Sequence, residues 1–132
     1  MMSPDSVIKQ YEFETESWGR MLSYFLQENV LFKTRLAEIV NNLSTNQELA
    51  DAEMFQEEFL SQDRIITYLY GELLKQTALF EKDFHKDSDI FREVTKNHKR
   101  MANDMKKAEQ LFTQLKQRFE DYLNQWLKVS TL

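Results

Sequence analysis

Apolar residues recur three and four positions apart along the first third of the chain. The seam runs Ile8, Tyr11, Trp18, Leu22, Phe25, Phe32, Leu36, Ile39 and Leu43, with Thr15 and Asn29 on the same rhythm. A second seam passes through Ala52, Phe55, Phe59, Gln62, Ile66, Leu69, Leu73, Gln76 and Phe80. A third passes through Phe91, Val94, His98, Met101, Met105, Ala108, Phe112, Leu115, Phe119, Tyr122, Trp126 and Val129. This alternation averages about 3.5 residues, so one stripe of each helix faces its neighbours and the helices supercoil left-handed. The pattern predicts three amphipathic helices with knobs-into-holes packing.

Their ends are marked by capping residues. Ser3 precedes Pro4, an N-cap followed by proline at the first helical position. Thr45 has Glu48 three residues on, the spacing of a capping box. Asp87 or Ser88 can cap the third helix. The predicted helices cover about 4–43, 46–84 and 88–129. Connections this short make successive helices antiparallel. The expected fold is therefore all-α: an up-down-up antiparallel three-helix bundle with coiled-coil packing, in a single domain over 1–132. Exchange of one helix between two copies would satisfy the same pattern.

Composition agrees and narrows the function. Two glycines and one proline leave few helix breakers, and 42% hydrophobic residues suffice for a core. The absence of cysteine excludes disulfides, thiolate chemistry and Cys-ligated metal centres. The N-terminus MMSPDSVIKQ lacks the basic start and apolar stretch of a secretion signal. No apolar run approaches the ~18 residues that span a membrane. The expected location is cytoplasmic. A net charge of −5 disfavours a bulk electrostatic grip on nucleic acid or anionic lipid.

The polar seam positions suggest a register. With turns near Ser44–Asn46 and Lys86, seam partners in the first two helices have numbers summing to about 91, and those in the last two to about 174. Thr15, Gln76 and His98 then share one level, and Asn29 and Gln62 another. Polar residues gathered at one level can satisfy each other, avoiding the ~1–3 kcal/mol cost of an unpaired buried amide. A seam asparagine fixes register at some cost in stability. Charge favours the same arrangement: residues 44–85 carry nine acidic and three basic side chains, residues 86–132 seven acidic and ten basic.

Candidate chemistry is sparse. His98 could serve as a general base or a pH switch, but it suits a hydrogen-bonded core histidine better, since no nucleophile-and-base set surrounds it. Glu81, Asp83, His85, Asp87 and Asp89 surround the second turn, where Glu81 and His85 fall one helical turn apart. Their spacing matches no known metal motif, and the acids suit capping of the third helix. Lys96, Lys99, Arg100, Lys106 and Lys107 form one basic stretch without interleaved aromatics. Phosphate-loop, dinucleotide-binding and nucleophile-elbow patterns are absent. No catalytic, cofactor-binding or metal-ligating residue is expected.

Surplus apolar residues point instead to a partner. Leu26, Val30, Leu60, Tyr70 and Leu74 occupy repeat positions that place them on one side of the first two helices. Such a stripe suits docking of another helix or a second copy. With Trp18 and Trp126 on its first and third helices, the chain is similar in architecture to a spectrin-type repeat, with longer helices and no tandem copy. The resemblance extends to the fold alone. The expectation is a non-enzymatic interaction or scaffold module that binds a protein partner or itself through helices one and two. The alternative is a nucleic-acid-associated or regulatory bundle using the basic third helix.

Overall fold

The computed structural model describes residues 3–83, 85 and 88–130, with side chains as far as Trp126. It is all-helical: α1 (Pro4–Val40), α2 (Asn46–Phe80) and α3 (Ser88–Ser130). At ~1.5 Å per residue, helices of 37, 35 and 43 residues are roughly 50–65 Å long.

The starts follow the capping residues. Ser3 Oγ accepts the Ser6 amide at 3.2 Å with Pro4 in the first turn, and Thr45 Oγ1 accepts the Glu48 amide at 3.1 Å. Glu48 reaches back to the amide of Ser44 at 3.1 Å, one residue earlier than the usual reciprocal bond. The expected caps Asp87 and Ser88 divide: Ser88 is the first residue of α3, and Asp87 lies outside the described residues.

Two ends fall short of the sequence expectation. α1 stops at Val40 rather than residue 43, because Asn42 and Leu43 bond to the carbonyls of Ile39 and Val40 in a tightened last turn. α2 stops at Phe80 rather than 84, and Glu81 and Lys82 close the end in the same way. Glu81, Lys82 and Asp83, next in the chain, are exposed and polar, so burial holds no further turn there. Leu43, though outside the helix, still packs against the core.

Contacts give the topology. Tyr70 meets Gly19 while Asp63 meets Lys33, so α1 and α2 run antiparallel. Glu14 meets His98 while Glu28 meets Lys116, so α1 and α3 run parallel. All nine seam residues read for α2 are its buried set. The side chain of the seam residue Val129 lies outside the described region. No helix among the described residues is long and apolar enough to cross a membrane.

The core has two unequal parts. The larger runs from Leu22, Leu73 and Met101 to Leu36, Ala52 and Phe119, and holds stacked Phe25–Phe112 and edge-on Phe59–Phe119 pairs. Phe59 and Phe119 are fully buried, and burial of each such ring contributes about 1.5–3 kcal/mol. The smaller part is Ile8, Phe80 and Val94, flanked by Tyr11, Leu79, Ile90 and Phe91. Thr15, Gln76 and His98, all buried, lie between the two.

Candidate functional site: a polar layer and an apolar outer face

His98 projects from the α3 seam towards α1 and is 4% exposed. Tyr11 and Trp18 lie two helical turns apart on α1, and the imidazole fills the space between them. Ring centroids are 3.9 Å from Tyr11 and 4.7 Å from Trp18, with planes inclined by 19° and 28°. His98 Nε2 hydrogen-bonds the Glu14 carboxylate. A bond from Gln10, then that from His98, holds the Glu14 carboxyl below its ordinary range. Gln76 Nε2 donates to the Val94 carbonyl at 3.1 Å. The three residues thus share a level, but they do not bond one another. Helix carbonyls and a flanking carboxylate offer nearer acceptors, so the mutual satisfaction expected from the sequence is corrected.

The second level shows the same correction. Asn29, 1% exposed, donates through Nδ2 to the Phe59 carbonyl at 2.9 Å and to Asp63 Oδ1 at 2.7 Å. Asp63 also takes an ion pair from Lys33 at 2.6 Å. Gln62 is buried at that level but makes no hydrogen bond with Asn29. Its neighbour Asp63 takes that place, because the charged acceptor is the stronger one. This layer leaves the larger core continuous.

Ion pairs across helices place the charge. Lys116 of α3 donates to Glu28 at 2.8 Å and to the Tyr24 hydroxyl at 3.0 Å, while Tyr24 donates to Glu28 at 2.9 Å. The bond to Glu28 raises the Lys116 ammonium well above its ordinary value, and the same bond lowers the Glu28 carboxyl. Arg118 holds Glu58 through both guanidinium nitrogens, and Arg100 holds Glu72 at 2.7 Å. Burial pushes the Tyr122 phenol up, with Asp51 and Glu48 adding to it. Sequence reading missed Glu14 and Glu28. The available signal was their spacing: each directly precedes a polar seam residue, two heptads apart.

Around the second turn, His85 Nε2 lies 3.0 Å from Asp5 of α1, and its amide bonds Asp83. Because α2 ends before them, Glu81 and His85 do not share a helical turn, which corrects the pairing read from the sequence. No group of three or more His, Asp or Glu able to hold one metal ion occurs among the described residues.

On the outer side of α1 and α2, Leu26, Val30, Leu60 and Leu74 are exposed. Tyr70, expected with them, is half-buried against the core and donates its hydroxyl to the Gly19 carbonyl at 3.3 Å. Its length lets it cross to α1, so it fastens the helix pair. Sequence reading also missed a groove between α2 and α3 lined by Ile65, Tyr68, Leu69 and Leu111. Searches against protein-family models, curated proteins and solved structures found no match in any of the three.

Proposed function

We propose that this chain is a non-enzymatic, cytoplasmic coiled-coil interaction module that docks a protein partner on the outer side of α1 and α2. A second copy of itself is the simplest partner. One observation carries this reading: Leu26, Val30, Leu60 and Leu74 are 41%, 51%, 36% and 71% exposed on that side. Burying a shared apolar strip on two copies makes an isologous interface. Light scattering across a concentration series tests it. A dimer that Val30→Glu with Leu60→Glu dissociates without loss of helicity supports self-association. A monomer at all concentrations removes the homodimer and leaves a different protein as the partner.

The alternative is the use of α3 on nucleic acid; of its basic stretch, Arg100 is held by Glu72 of α2, and further along α3 Lys116 and Arg118 are held by Glu28 and Glu58. A steep fall in binding to a nucleic-acid duplex with added salt would favour it over apolar docking.

A further inference from the structure

The level that divides the core gathers unpaired polar atoms. Six buried side-chain atoms among the described residues lack a hydrogen-bond partner: Thr15 Oγ1, Asn29 Oδ1, Gln76 Oε1, Thr95 Oγ1, His98 Nδ1 and the Tyr122 hydroxyl. Four of them belong to residues within one turn of this level, so the deficit is local. A buried polar group left unbonded costs about 1–3 kcal/mol, and proteins meet such a deficit with internal water when polar groups converge.

The chemistry of the three seam residues fixes what would fit. A carboxylate only accepts, so a neutral His98 bonded to Glu14 carries its proton on Nε2. In that tautomer His98 Nδ1 is an acceptor. Gln76 has committed its amide nitrogen to the Val94 carbonyl, leaving Oε1 as a second acceptor. The Thr15 hydroxyl both donates and accepts. Two acceptors and one hydroxyl, supplied by three helices, match the capacity of one water molecule. Such a water would donate one hydrogen to His98 Nδ1 and the other to Gln76 Oε1, and would accept from Thr15.

Two clefts flank the level on either side of α2. Thr15 lines a cleft of about 220 Å³ between α1 and α2, and Gln76 lines one of about 530 Å³ between α2 and α3. We infer that Thr15, Gln76 and His98 form an internal water-binding site that joins the three helices at the break in the core. The water is structural: it completes the hydrogen bonds that the packed seam leaves open and locks the imidazole in one tautomer.

The test is a high-resolution crystal structure of the full chain, with nitrogen NMR of the histidine ring in solution. The expected result is a density peak within hydrogen-bond distance of Thr15 Oγ1, Gln76 Oε1 and His98 Nδ1, with Nε2 protonated and Nδ1 bare at neutral pH. Gln76→Leu, which removes one acceptor at similar volume, should abolish the peak while the helices persist. A dry layer in the wild type, or an imidazolium with both nitrogens protonated at neutral pH, overturns the inference. So does a peak that survives unmoved in Gln76→Leu.

Discussion

The imidazole of His98 lies parallel to the phenol ring of Tyr11, 3.9 Å between centroids and 19° between planes. Trp18 covers the opposite face, so one histidine of α3 is clasped by two aromatic residues a heptad apart on α1. Stacked ring pairs contribute about 0.5–1.5 kcal/mol beyond their area burial. Tyr11→Leu should therefore lower stability by roughly 1 kcal/mol in urea denaturation. Phe13→Leu, at a ring 63% exposed, should change it by less than about 0.5 kcal/mol. Equal effects would mean that the stack contributes nothing specific.

The Glu14–His98 bond also sets a dependence on acid. Glu14 is held below its ordinary value of 4.5, first by Gln10 and then by His98. A carboxyl with a depressed folded pKa binds its proton less readily in the folded state than in the unfolded chain. The stability it brings is complete above the unfolded value and lost as pH falls through the folded one. The wild type should exceed Glu14→Gln in urea midpoint at about pH 6, with the gap closing below roughly pH 4.5. Because Glu14 is 37% exposed in its side chain, the gap should be modest and shrink with salt. A gap that stays constant into strong acid would place the origin elsewhere.

The seams and starts were legible because each follows from local chemistry. A 3-4 repeat has one buried stripe whatever its neighbours, and Ser3, Pro4 and Thr45 act within their own first turns. Hydrogen-bond partners were not legible, because choosing between Gln62 and Asp63 for Asn29 needs the rotation of α2 to within a fraction of a turn. Tyr70 shows a similar limit. Its repeat position sits at the border between core and surface, and only the close approach of the Gly19 carbonyl draws it inward. The helix ends at Val40 and Phe80 depend on where burial ceases, which tertiary packing decides.

Asn29 separates two roles that a buried amide can have. Its Oδ1 has no partner, and the Phe59 carbonyl it contacts also stands in the α2 backbone ladder. Asn29→Leu should thus be neutral or stabilising in urea denaturation, as when a buried polar group gives way to an apolar one of similar size. Its cost should appear as a broader mixture of oligomers in light scattering. Asn29→Asp would bring a buried carboxylate against Asp63, and should destabilise by more than about 2 kcal/mol. A benign aspartate at this position would show that Asn29 is far wetter than its burial implies.

Lys116 and Arg35 offer a contrast in ion pairing. Lys116 binds Glu28 and Tyr24 at once and lies 5.6 Å from the Tyr24 ring centroid, with Glu28 only 20% exposed in its side chain. Arg35 and Glu38 pair at 3.6 Å with both side chains about 60% exposed. Lys116→Met should cost roughly 0.5–1 kcal/mol, and Arg35→Met close to nothing. The ammonium of Lys116 is raised, so its contribution is complete below its ordinary value of 10.5 and lost only as pH climbs through the higher folded one. Across about pH 5–9 the difference between the two variants in urea midpoint should stay level.

Gly71 and Gly19, the chain's two glycines, interrupt the interiors of α2 and α1. A Cβ at Gly71 would meet nothing within 4 Å, and one at Gly19 would meet only Leu73 Cδ1 at 3.9 Å, an ordinary contact. Neither has a positive φ, so no backbone requirement explains them. A glycine inside a helix costs about 1 kcal/mol relative to alanine, so Gly71→Ala should raise the thermal and urea midpoints by about that amount. Gly19→Ala should gain a similar amount, since its added methyl group makes only an ordinary contact with Leu73. If the chain self-associates as proposed and alanine at residue 71 weakens that association while stabilising the bundle, the open surface there belongs to the proposed interface. Unchanged association would exclude residue 71 from it.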